Sequence, residues 1–145
     1  MLKDTIYNEM IASLKAGRKI EVSVLRFVLS EIKYAEIAKQ KDLTDDEVIG
    51  VMQKEVKKRR DAIELFRKND RIPMAEDEQK QVEIIENYLP KQMSEEEVIT
   101  IIDEATQSSK ENLSMGTLMG IVIGKTKGRA DGKLVSDLVR KKLGI

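Results

Sequence analysis

Apolar residues recur along this chain three and four positions apart, with charged residues between them, and the strict alternation of a half-buried strand is absent. Leu2, Ile6, Met10 and Leu14 form the first such stripe, and Gly17 follows where a left-handed residue would release the helix. A longer helix is expected over about residues 20–39, with Val24, Leu25, Val28, Leu29, Ile32 and Ala35 on one face and Lys and Glu opposite. Thr44-Asp45-Asp46-Glu47 has the form of a capping box, so a third helix should start at Thr44. It would run through Val48, Val51, Met52, Val56, Ile63 and Phe66 to the polar break Lys68-Asn69-Asp70. Pro73 suits the first turn of a fourth helix, whose apolar positions Val82, Ile85, Tyr88 and Leu89 lead to Pro90.

Pro90 removes a backbone donor and disfavours helical geometry at Leu89, and a second capping box follows at Ser94-Glu95-Glu96-Glu97. A boundary is therefore expected here. Val98, Ile101, Ile102 and Ala105 give a fifth helix its buried stripe, and residues 108–112 read as a loop. Ser114 can cap a sixth helix reaching about Lys125, and a seventh runs from about Gly132 to Leu143. The expected fold class is all-α: an amino-terminal domain of about four helices over residues 1–90, then a small three-helix domain over residues 91–145.

Composition narrows the chemistry. The chain has no Cys and no His, which excludes disulfides, thiolate or imidazole metal sites, and Ser-His-Asp or Cys-His catalysis. Nothing in the pattern supplies a catalytic constellation, a metal site or a cofactor motif. The most apolar stretch, residues 113–124, is too short to cross a bilayer, and the amino terminus reads as an amphipathic helix without a signal peptide's apolar core. These readings lead us to expect a cytoplasmic protein with no membrane partner.

Three features could carry function. The run Lys54, Lys57, Lys58, Arg59 and Arg60 is matched by acids four residues away, in Glu55 with Arg59, Lys57 with Asp61 and Arg60 with Glu64. Such pairs describe an ordinary solvated face. Gly116, Gly120 and Gly124 lay a side-chain-free strip along the sixth helix, for close packing against a neighbouring helix or for close approach of a ligand. Residues 125–133 then form a turn in which Gly128 suits a left-handed exit, Asp131 can cap the seventh helix, and Gly132 follows. Lys133 sits in that helix's first turn, where a cation is unfavourable unless an anion is expected.

From Gly116 onward there are seven Lys and Arg against two Asp, a net +5, in a chain with 26 residues of each sign. This asymmetry makes Lys125, Lys127, Arg129, Lys133, Arg140 and Lys141 the candidate contacts to a polyanion. No aromatic residue follows Tyr88, so such a surface would meet backbone and shape rather than stack bases.

The segments Tyr88-Leu89-Pro90-x-x-Met93-Ser94-Glu95-Glu96-Glu97, Met115-Gly116-x-x-Met119-Gly120, and Lys127-Gly128-Arg129-Ala130-Asp131-Gly132-Lys133-Leu134-Val135 resemble the GatB/YqeY family over nearly the whole chain. The resemblance implies a helical domain followed by a three-helix domain similar to the tail of the B subunit of glutamine-dependent tRNA amidotransferases. It also implies an RNA-facing role for residues 128–135, with tRNA and an amidotransferase or tRNA-metabolism protein as partners. The large catalytic region of the B subunit has no counterpart here. An accessory tRNA-binding role is thus expected; the alternatives are participation in carbon-nitrogen ligase chemistry beside a catalytic partner, or a protein-interaction module without RNA.

Overall fold

The computed structural model describes residues 1–109 and 111–145, which form seven α-helices and no strand among the described residues. They are α1 (Leu2–Ala16), α2 (Lys19–Lys39), α3 (Asp45–Lys68), α4 (Ile72–Glu86), α5 (Glu95–Gln107), α6 (Met115–Thr126) and α7 (Gly132–Leu143). The all-α expectation holds. The loop expected at residues 108–112 includes Lys110, which lies outside the described residues. Contacts gather the chain into two compact units, Met1–Leu89 and Pro90–Ile145.

Helix ends follow local chemistry. Gly17 adopts φ 74° and closes α1, its N–H donating to the Leu14 carbonyl while the Arg18 N–H reaches the Ser13 carbonyl. Both capping boxes form: Glu47 N–H donates to Thr44 Oγ1 and Glu97 N–H to Ser94 Oγ, each at 3.2 Å, and each glutamate accepts in return from the cap residue's N–H.

In the amino-terminal unit, Val24, Leu25, Val28 and Ile32 of α2 enter one core with Ile6 and Met10 of α1, Met52 and Ile63 of α3, and Val82 and Ile85 of α4. Burying each such side chain contributes about 1.5–3 kcal/mol, so this aliphatic stripe is the principal support of the unit.

One end of the unit is tied by carboxylates. Glu36 accepts from Leu43 N–H at 3.0 Å and from Lys3 Nζ at 3.1 Å, Glu47 accepts from Lys39, and the Leu2 N–H donates to Asp45 Oδ1 at 3.0 Å. The Leu43 amide first, and Lys3 second, hold the Glu36 carboxyl below its usual range, while Lys39 and the Thr44 amide do the same for Glu47. A depressed folded-state value means stability that is present above the unfolded value of about 4.3 and is lost as pH falls through the folded one. Thermal melts at pH 7 and pH 3 should therefore show an acid-induced loss that is smaller in Glu36→Gln; equal losses would remove Glu36 from the linkage.

The basic run of α3 is only partly the solvated face expected. Arg59 and Glu55 are largely buried, with the Arg59 Nε 3.2 Å from Glu55 Oε1 as an ion pair that lacks a directed hydrogen bond. The guanidinium also reaches Glu78 at 3.4 Å, donates to Gln81, and lies 5.4 Å from the centroid of the Phe27 ring. Arg60 pairs with Glu86 of α4 rather than Glu64, and Glu64 pairs with Lys68. Lys57 and Asp61 form no ion pair among the described residues. The i,i+4 spacing identified available partners, but α4 brought longer-range acceptors within reach.

In the carboxyl-terminal unit, Val98, Ile102 and Ala105 of α5, Leu118 and Val122 of α6, and Val135, Leu138 and Val139 of α7 form a second core. Lys142 Nζ meets Asp103 Oδ1 at 2.9 Å, linking α7 to α5.

Candidate functional site

The α6–α7 connection departs from the expected capping pattern. Lys127, not glycine, is the first left-handed residue after α6, with φ 47° and ψ 46°, and Gly128 follows with φ 76°. Asp131 occupies the N-cap of α7, yet its side chain makes no capping hydrogen bond. A non-glycine left-handed residue costs about 1 kcal/mol, because its Cβ crowds the adjoining carbonyl. Lys127→Gly should accordingly stabilise the protein by about 1 kcal/mol in urea denaturation, whereas unchanged or reduced stability would contradict the strain.

Arg129 anchors this turn. Its Nε donates to the Lys91 carbonyl at 2.8 Å, and its own carbonyl accepts from the Met93 N–H at 2.7 Å. The segment entering the unit is thereby fastened to the turn. Arg129 is half-buried and has one face committed to structure, a role its sequence position did not reveal because the partner lies 38 residues away.

The cations around it are freer. Lys125, Lys127, Lys133, Arg140 and Lys141 are exposed and make no ion pair among the described residues. Lys133 occupies the second position of α7, whose first turn contains no acidic residue. Chain continuity brings Lys125, Lys127, Arg129 and Lys133 to one end of the α6–α7 hairpin. Arg140 lies on nearly the same arc of α7 as Lys133 but about 10 Å farther along its axis. Lys141 leans toward α5, where it borders a shallow groove with Ile99, Asp103 and Leu138. The structure therefore divides the six candidates into a turn group and a more distal pair.

Gly116, Gly120 and Gly124 are exposed, and a Cβ placed on any of them would meet nothing within 4 Å among the described residues. Close packing against a neighbouring helix does not explain them within the described structure, because the packed face of α6 is that of Leu118, Val122 and Thr126. Gly132 is likewise open, while Gly128 has a positive φ that favours glycine. Since helical glycine costs about 1 kcal/mol relative to alanine, the strip leaves α6 less stable than its core alone would allow.

The fold and this glycine-marked, cation-rich hairpin define the class. A family model described as Yqey-like protein matches residues 3–143, and the chain belongs to that family. An uncharacterized protein of Schizosaccharomyces pombe is 38% identical over 93 residues, covering 64% of this chain and 76% of that protein. A glutamyl-tRNA(Gln) amidotransferase subunit of Thermococcus gammatolerans is 51% identical over 57 residues, covering 35% of this chain but 9% of that much longer protein. Altered inheritance of mitochondria protein 41, mitochondrial, of Pyrenophora tritici-repentis is 28% identical over 137 residues, covering 91% of this chain and 75% of that protein. No helix among the described residues is long and apolar enough to cross a membrane.

Proposed function

We propose that this protein is a tRNA-binding accessory factor, with residues 1–90 and 91–145 as its two domains and the α6–α7 hairpin as its RNA-facing surface. The observation that carries the reading is the set of exposed cations at the hairpin, Lys125, Lys127 and Lys133, without acidic partners among the described residues. Kinship with part of an amidotransferase whose name specifies glutamyl-tRNA supports tRNA as the polyanion. The open glycines would let a sugar-phosphate backbone approach α6 closely, and Arg129 would hold the turn while its terminal nitrogens face the phosphates.

Carbon-nitrogen ligase chemistry with glutamine as nitrogen donor, in concert with a catalytic partner, is the second reading; it rests on the same kinship. The shared part is 9% of the Thermococcus gammatolerans amidotransferase subunit, so contact with RNA is a simpler inheritance than that whole protein's activity. A cytoplasmic location belongs to the same proposal, and cell fractionation should find the protein with the cytosol rather than with mitochondria.

Binding of a tRNA transcript to the full chain, followed by fluorescence anisotropy from low to moderate salt, tests the reading. Five or six neutralised phosphates predict a slope of log affinity against log salt of about −5. Absence of binding, or binding indifferent to salt, would overturn it.

A further inference from the structure

Among the described residues, the amino-terminal unit carries an unpartnered face of its own on α2. Val24, Leu25, Val28 and Ile32 point into the core, but Ile20, Phe27, Tyr34 and Ile37 are 52%, 42%, 68% and 63% exposed. With exposed Ser23 and Ser30 they occupy positions 20, 23, 27, 30, 34 and 37, the alternating three- and four-residue spacing of a coiled-coil seam. The seam is about 26 Å long. Beside it run Lys19, Arg26 and Lys33, seven residues apart, all exposed and without an ion pair among the described residues. At the seam's centre, the ring of Phe27 is braced by the Arg59 guanidinium, which buried Glu55 and half-buried Glu78 hold from beneath.

We propose that this face of α2 docks an acidic amphipathic helix of a partner protein, with apolar residues facing Ile20, Phe27, Tyr34 and Ile37 and carboxylates facing Lys19, Arg26 and Lys33. On the opposite flank stand buried Val24, half-buried Glu31 and exposed Ala38, so the unit's own core closes that side at Val24 and the flank offers no cation. An acidic incoming helix is drawn toward the basic row and away from Glu31.

Charge disfavours a second copy as occupant. An antiparallel pair would set the basic row against itself, while a parallel pair would offer it only Glu31 as an acid. A stacked nucleic acid strand fits less well. Phe27 and Tyr34 are about 10 Å apart along the helix, roughly three times the base-to-base rise, and one side of Phe27 is already taken by Arg59. The inference rests on the amino-terminal unit alone and stands independently of the RNA reading.

The test uses the full chain and two synthetic helical peptides of three heptads, both with Leu at the seam positions, one with Glu and the other with Lys at the flanking positions. The acidic peptide should bind at least about tenfold more tightly than the basic one in anisotropy titrations, consistent with the several opposite-charge contacts available. Lys19→Glu/Arg26→Glu/Lys33→Glu should invert that order, and Tyr34→Ser/Ile37→Ser should weaken the acidic peptide about tenfold with an unchanged melting curve, since both side chains are exposed. Equal affinity for both peptides, no binding of either, or indifference to these substitutions would overturn the proposal. So would sedimentation showing self-association abolished by Tyr34→Ser/Ile37→Ser, which would assign the face to a second copy. RNA binding lost on the Lys19, Arg26 and Lys33 reversal, without peptide binding, would assign it to nucleic acid.

Discussion

Arg59→Ala is expected to destabilise the amino-terminal unit by about 3 kcal/mol, seen as an earlier urea midpoint with a similar slope. The side chains of Arg59 and Glu55 are 12% and 11% exposed, so removing the guanidinium leaves a carboxylate without its main counter-charge in a poorly solvated position. It also removes the donor to Gln81, the contact to Glu78 and the cation over Phe27. Because the penalty comes mainly from an unpaired charge, Glu55→Leu/Arg59→Met should recover most of the loss by replacing the pair with apolar volume. A single variant as stable as the parent protein would show that water reaches Glu55, and failure of the double variant to recover would show that the links to α4 matter more than the charge.

The second large effect is expected at the hairpin. Lys127→Glu/Lys133→Glu should weaken tRNA binding by more than about tenfold at low salt and make the salt slope shallower by about two. Each lysine would neutralise one phosphate, and each glutamate would replace that attraction with repulsion. Arg129 is left intact because its Nε and carbonyl hold residues 91 and 93, so substituting it would mix loss of contact with loss of fold. Unchanged affinity and slope would remove the turn from the proposed interface. Lys127→Gly provides a further separation: increased stability with weaker binding would show that the lysine's strained backbone is retained for its charge.

Much of the fold was legible because it is written in short-range chemistry. Hydroxyls at Thr44 and Ser94 with glutamates three residues on announced α3 and α5, Gly17 announced the end of α1, and the 3.6-residue stripes identified most core positions, although Leu14 of the first stripe is exposed and Ser13 is buried beside it. The less predictable details involve the environment of individual side chains. Asp131 sits at an N-cap without making its bond, and Lys127 takes a conformation that glycine would adopt more cheaply. Both lie in a turn whose backbone is also held through Arg129 to residues 91 and 93, a constraint invisible in the local sequence.

The candidate site shows the same division. Its cations and glycines could be named from charge asymmetry and spacing, but only the structure separated Arg129, fastened to the unit's entry segment, from the exposed Lys125, Lys127 and Lys133. It likewise turned the glycine strip from a choice between helix packing and open approach into a surface facing solvent.

The sequence by itself determined seven helices, most of their ends and which faces are apolar, since hydrogen bonds within a turn and burial of a stripe depend on residues close in the chain. Tertiary structure alone decided that Arg59 is largely buried while Lys127 is exposed, that the α6 glycines have no neighbour among the described residues, and that α2 presents a second apolar seam beside a row of cations. Those outcomes depend on which other helix covers a given face, and residues remote in sequence settle that.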